Sequence, residues 1–309
     1  MPVRHLPVLL DETLSWLDPG RGGCYIDCTL GLAGHATALL ERFPDARLFG
    51  IDRDRRALEL ARLRLAPYSG RFQAVEGNFA DLGRLWAASE WSAERPAGIY
   101  ADFGVSSLQL DTPERGFSFQ REGPLDMRMS SEGITAAELL ESVTEGELEE
   151  IFREYGEEPD ARRVARAVVQ ARELRPIDTT AALADIVRRS KRRGPRHEKI
   201  DPATRVFQAL RIAVNEELAA IEELLDQATN LLDRDGRLVV ISFQSLEDRI
   251  VKNRIRELAR GDVDQTTGRT RSETRLLDVL TKKPVRPSTA EVDLNPRARS
   301  ARLRAARRL

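Results

Sequence analysis

The chain has 309 residues, 41% of them apolar and 32% charged, with a formal net charge of −1. That balance excludes the disordered and fibrous classes, and the length suffices for two domains. With no apolar run near the roughly 20 residues of a membrane helix and no secretory-type stretch after Met1, a cytoplasmic protein without membrane association is expected. The only cysteines, Cys24 and Cys28, have neither redox CxxC spacing nor a second Cys/His pair, so no metal site is expected.

In chain order, Tyr25–Asp27, Leu48–Asp52, Phe72–Val75 and Gly98–Asp102 read as short buried strands. Between them, Ala36–Arg42 and Arg56–Leu65 carry apolar residues at helical spacing. Strands alternating with helices predict a parallel sheet with right-handed crossovers. From Asp111 to Lys199 strand signals vanish. Thr144-x-x-Glu147 has capping-box spacing ahead of a helix through Tyr155, and Ala161–Leu174 and Thr180–Ser190 also read as helices. One long helix is predicted over Pro202–Leu232, with Asp201 as its N-cap and Pro202 at its first position. Leu238–Phe243 is a strand, Leu246–Leu258 a helix, Gly261–Arg271 a polar mobile loop, and Leu276–Leu280 and Ala301–Ala306 final strands. The expected organisation is an α/β doubly wound sheet: residues 1–110 form its first part, 111–200 an inserted helical domain, and 201–309 its second part.

The first strand runs into Asp27-Cys28-Thr29-Leu30-Gly31-Leu32-Ala33-Gly34-His35 and then a helix. Gly31 permits a tight turn, Gly34 a close backbone approach, and the helix N-terminus offers unpaired N–H groups to an anionic ligand group. Asp52, ending the second strand, is placed to accept hydrogen bonds from both hydroxyls of a ribose. A nicotinamide dinucleotide also suits a glycine loop followed by an acid. The G-x-x-G form, with Asp27 ahead of it, favours a ligand carrying an ammonium group in place of a pyrophosphate, as S-adenosylmethionine does. The other role for Asp27 is to cap local backbone N–H groups. Phe79, after the third strand, offers an apolar face to an adenine or is plain core.

The fourth strand ends in Asp102-Phe103-Gly104-Val105-Ser106-Ser107. In open α/β sheets ligands bind beyond the carboxyl ends of the strands, which points Asp102 into the site. A carboxylate there can accept an N–H bond from an exocyclic amine and hold its nitrogen in line with a donor methyl. Its other reading is a cap on the N–H groups of Gly104 and Ser106. Gln109 can touch cofactor or base. Phe117, Phe119, Met127, Arg115 and Arg128 either stack an extruded base and grip its phosphate or anchor their loop on the core. Acidic residues crowd Glu138–Glu158. Basic residues crowd Arg188–Lys199 and Arg297–Arg308, each run a candidate phosphate contact or a solvated surface.

Taken together, these strings resemble the RsmH (formerly MraW) family of ribosomal RNA small-subunit methyltransferases. The resemblance runs from His5-x-Pro7-Val8-Leu9-Leu10-x-Glu12 through Asp102–Asp111, Arg115–Met129, Pro202–Arg211 and Gly236–Arg249 to Asn295–Ser300. It implies a class I, Rossmann-like S-adenosylmethionine methyltransferase fold with an inserted helical domain. It further implies N4-methylation of a cytidine in the decoding region of small-subunit (16S) rRNA, with that rRNA or the assembling 30S particle as partner and a monomer or homodimer as the working form. By motif match, the cofactor contacts fall on Ala33, Gly34, His35, Asp52, Phe79, Asp102 and Gln109, and Asp102 is the catalytic candidate. Three positions depart from the family pattern. Ala33 stands for the first glycine of a Gly-Gly-His-Ser loop, which a backbone of negative φ would tolerate. Asp201 and Gln244 stand for histidines, and neither exchanges a proton near neutral pH as imidazole does. Their loss motivates the alternative of an rRNA-binding assembly factor with little or no catalysis.

Overall fold

The computed structural model describes residues 7–191, 201–262 and 270–309. The chain divides into two compact units, residues 1–104 with 218–309, and residues 105–217.

Among the described residues of the first unit, seven strands form one sheet in the order β3-β2-β1-β4-β5-β7-β6. They are β1 (Gly23–Asp27), β2 (Ala46–Asp52), β3 (Phe72–Glu76), β4 (Gly98–Asp102), β5 (Arg237–Ser242), β6 (Leu277–Val279) and β7 (Arg302–Arg308). The pairs among β1 to β5 are parallel, and β7 runs antiparallel to both β5 and β6. This is the Rossmann-like α/β sheet read from the sequence, interrupted between β4 and β5 by the second unit.

Alternation of side chains explains why the central strands β1, β2, β4 and β5 are mostly apolar. Tyr25, Leu48, Tyr100, Val239 and Leu303 enter a core on one face, under α1 (Leu10–Leu17), α2 (Gly34–Arg42) and α3 (Arg55–Leu65). Cys24, Ile26, Phe49, Ile99, Leu238 and Val240 enter a second core on the other. That face is covered by α4 (Leu82–Ala87) and, later in the chain, by α11 (Glu217–Leu231) and α12 (Ser245–Arg260). A parallel sheet buried on both faces needs such continuous apolar runs. A short helix, α13 (Thr289–Leu294), follows β6.

The second unit is helical: α5 (Ser107–Asp111), α6 (Ala136–Ser142), α7 (Glu145–Glu154), α8 (Ala161–Leu174), α9 (Thr180–Ser190) and α10 (Thr204–Asn215). The capping boxes Thr135/Glu138 and Thr144/Glu147 fix the starts of α6 and α7. Leu148, Phe152, Val164, Val168, Leu183 and Val187 form its core with Phe207 and Leu210 of α10. The unit therefore contains segment 111–200 and extends through α10.

The single helix expected over Pro202–Leu232 is two helices. Glu216 takes a left-handed conformation with φ 51° and separates α10 from α11. Asn215 accounts for the break: its amide donates to the Met127 carbonyl and accepts from the Met129 N–H, both at 2.8 Å. The Arg211 guanidinium donates twice to the Glu217 carboxylate, at 2.8 and 2.9 Å. Asp201 is not the N-cap either. α10 starts at Thr204 behind Ala203, and the Asp201 carboxylate accepts from the Ala203 N–H while pairing with Arg188. Most of the polar stretch Gly261–Arg271 lies outside the described residues, as do His5 and the basic residues Arg192, Arg193, Arg196 and Lys199.

Candidate active site at the carboxyl ends of β1, β2 and β4

In the sheet order, the chain winds outward from β1 to β3 on one side and from β4 to β5 on the other, so the switch point lies between β1 and β4. Ligands of open α/β sheets occupy that crevice. Asp27 ends β1, Asp52 ends β2 and Asp102 ends β4, which brings three carboxylates to this edge.

Asp52 is fixed by two backbone donors, Gly31 N–H at 2.6 Å and Asp54 N–H at 2.8 Å. Burial nevertheless raises its pKa from 3.8 to about 6. Asp27 accepts from the Thr29 N–H at 3.0 Å, so the local capping role is real. Burial raises it to about 7. The buried Tyr100 hydroxyl lies against Asp27 without completing a well-formed hydrogen bond.

Asp102 differs. Its backbone N–H donates to Thr29 Oγ1 at 2.7 Å, but its Oδ1 is buried with no partner among the described residues. Burial, then repulsion from Asp27 and Glu247, pushes its carboxyl well above the usual range. The expected alternative, a cap on Ser106, does not form. The Ser106 N–H donates instead to Gln109 Oε1 at 3.0 Å, closing the capping box of α5. An acceptor of this kind, beside further carboxylates, fits a cationic ligand that also brings N–H or O–H donors.

The loop between β1 and α2 departs from expectation at one residue. Ala33 sits at φ 57°, in the left-handed region and not at negative φ. It is fully buried, and its carbonyl accepts from both the N–H and the hydroxyl of Thr37. Gly34 has no room for a side chain, since a Cβ there would lie 2.6 Å from Pro7 Cγ. His35 is also buried, with its Nε2 3.0 Å from the Val8 carbonyl and its ring edge-on to Tyr100. Phe79 is half-buried and tilted against Phe103 at 5.7 Å. Gln109 is buried in the other compact unit.

Sequence reasoning missed Glu247. It is 1% exposed, and its Oε2 accepts from the N–H groups of Phe243 and Gln244 at the start of α12. The Gln244-x-x-Glu247 spacing after a strand was the available signal. Gln244 Oε1 is buried and faces the Glu247 N–H in the capping box that starts α12, without completing a well-formed hydrogen bond.

Two groups singled out in the sequence serve the structure itself. Phe117 and Met127 are buried in the helical core, Arg128 forms a fork on Asp126, and Arg115 binds the carbonyls of Arg128 and Met129. Phe119 packs edge-on to Phe207 at 4.8 Å, under the Arg188 guanidinium. In the carboxyl-terminal basic run, Arg304 forks onto Asp248 and Arg307 pairs with Asp278 and Asp235.

The family model for the MraW methylases matches residues 2–309. The chain belongs to the MraW methylase family. Its relatives in that family include the ribosomal RNA small subunit methyltransferase H of Geobacter sulfurreducens, 50% identical over 313 residues and covering 100% of both chains. That of Granulibacter bethesdensis is 47% identical over 97% of this chain and 90% of its own. That of a Cyanothece species is 47% identical over 99% and 95%. Family membership closes the nicotinamide reading of the glycine loop, and a methylase gives the trio of carboxylates a cationic donor to meet.

Proposed function

We propose that this chain transfers a methyl group from S-adenosylmethionine to N4 of a cytidine in the decoding region of small-subunit rRNA, acting in the cytoplasm on the assembling 30S particle. Full-length identity to relatives named for rRNA methylation supports the substrate. The observation that carries the chemistry is the buried Asp102 Oδ1 at the switch point, without a partner among the described residues.

S-adenosylmethionine supplies an electrophilic methyl on a positively charged sulfur. We assign Asp52 to its ribose hydroxyls, Asp27 and the backbone around Gly34 to its amino-acid end, and Phe79 to its adenine. Ala33, His35 and Gln109 complete the motif-derived set, with the two side chains His35 and Gln109 engaged in packing and capping. Asp102 accepts a hydrogen bond from the cytidine amine. That returns lone-pair density to a nitrogen otherwise conjugated with the ring and holds it in line for attack. A donor held there would supply its methyl to the attacking nitrogen, and Asp102 would take up the proton that the amine gives up. Gln244 Oε1, which faces the Glu247 N–H in the α12 capping box, keeps a second lone pair and offers a further acceptor for the second hydrogen of an exocyclic amine. Neither acceptor needs imidazole, so the absence of histidine at 244 does not favour a non-catalytic assembly factor.

The test is to incubate the protein with labelled donor and unmethylated small subunits and to map the label by mass spectrometry. Label on one cytidine N4, lost with Asp102→Ala, is expected. No label on any cytidine N4 while donor binding is intact would refute the assignment.

A further inference from the structure

We propose that a cationic groove between α12 and the β6–β7 edge of the sheet binds the phosphates of the RNA strand that presents the target cytidine. This rests on the RNA-methylating function above and names where that substrate is held.

The groove is lined by Lys252 and Arg256, one turn apart on α12, by Lys282 just after β6, and by Arg304 of β7, with no carboxylate among its lining residues. Lys283 and Arg286 are exposed on the same segment. Most basic residues nearby are spoken for. Arg304 and Arg302 lie on Asp248, Arg254 on Asp226 and Glu257, and Arg307 on Asp278. Lys252, Arg256, Lys282, Lys283 and Arg286 have no ion pair or side-chain hydrogen bond among the described residues. Five cations left uncompensated beside neutralised neighbours attract a polyanion.

Register ties the groove to the reaction centre. Asp102 pairs with Ile241, Ile241 with Leu303, and Leu303 with Val285, in one row across the sheet. Three strand spacings put Val285 roughly 14 Å from Asp102. Lys282, Lys283 and Arg286 flank Val285, so they stand at the end of the sheet that carries Asp102. That span equals about four stacked nucleotides of one strand. An enzyme that draws a base out of its stack must hold the flanking backbone while the base is extruded, and the cations flanking Val285 stand at a distance that meets that need, with the groove continuing from Lys282 past Arg304 and Ala305, one and two residues from the row of Asp102.

The test combines Lys252→Gln, Arg256→Gln, Lys282→Gln and Lys283→Gln in the full chain and measures methylation of unmethylated small subunits against salt. The expected result is a KM for subunits raised at least about tenfold. The slope of log affinity on log salt should be shallower by about 3, at about 0.7 per lost phosphate contact. Donor affinity and kcat at saturating subunits stay unchanged. Should the fourfold variant lose donor binding, the exposed pair Lys282→Gln/Lys283→Gln alone must still flatten the slope by about 1.4. An unchanged KM and slope overturns the proposal. So does loss of binding to anionic phospholipid vesicles with subunit KM intact, which assigns the groove to lipid headgroups. Failure of the wild-type protein to methylate any cytidine refutes the function itself and not merely the groove.

Discussion

Asp52→Asn should make the ligand-free protein more stable while weakening its hold on the donor. The rise of the Asp52 pKa from 3.8 to about 6 corresponds to a penalty of about 3 kcal/mol on its ionised form at neutral pH. Asparagine removes that penalty but has one acceptor oxygen where the carboxylate serves both Gly31 and Asp54, so about 1 kcal/mol returns as a lost hydrogen bond. The net gain is about 2 kcal/mol at pH 7. Its pH dependence has a definite sign. A carboxyl with a raised native pKa has its favourable contribution in full below the unfolded value and loses it as pH rises through the native value. The advantage of the Asp52→Asn variant should therefore be largest above pH 6, fall to zero near about pH 4.5 and turn into a deficit of about 0.5 kcal/mol by about pH 4. Denaturant melts at pH 4, 5 and 7 measure it, and calorimetric titration with S-adenosylmethionine measures the other side. There, loss of a charged acceptor for two ribose hydroxyls should cost at least about 10-fold in affinity. A variant less stable than wild type at pH 7, or one whose advantage persists unchanged at pH 4, would show that burial does not strain this carboxylate.

Asp102→Asn should lower kcat for methylation by about 10²-fold or more, since the loss falls on the proton-accepting group, and radiolabel transfer to unmethylated subunits reads it. Ala33→Gly should change stability by less than about 1 kcal/mol in denaturant titrations. Relief of about 1–2 kcal/mol of left-handed strain is offset by a lost buried methyl, about 0.8 kcal/mol, and by the freedom glycine gives the unfolded chain, about 0.4–1 kcal/mol. Arg304→Ala should destabilise by about 2–3 kcal/mol, because among the described residues it leaves Asp248 with Arg302 alone, at 3.7 Å, and thermal melts will show it.

The central strands β1, β2, β4 and β5 were legible because each is a short, mostly apolar run buried on both faces, a pattern that survives without knowing its neighbours. The start of α7 was legible for a local reason too, its capping box. The division of α10 from α11 was not. No glycine or proline marks Glu216, and the cause is Asn215 bonding to a loop nearly 90 residues away in sequence. Within the site, Asp52 and Asp102 stood out as strand-ending acids. Glu247 acts on Asp102 only because β4 and β5 pair across the whole helical unit. The arginines of β7 looked like phosphate contacts because sequence shows charges and not their partners, and Asp248, Asp235 and Asp278 come from three different places in the chain.

The order β5-β7-β6 places β7 between two strands that both precede it in the chain. β6 forms no pair with β5, so it has no template until Arg302–Arg308 arrives. During synthesis, β5 presents an unpaired edge bearing Leu238 to Ile241 until that late segment slots in beside it, and only then can Leu277–Val279 dock. Closing the sheet is thus a late event in biogenesis, and slow delivery of β7 leaves the nascent chain exposed at that edge to mispairing with other strands.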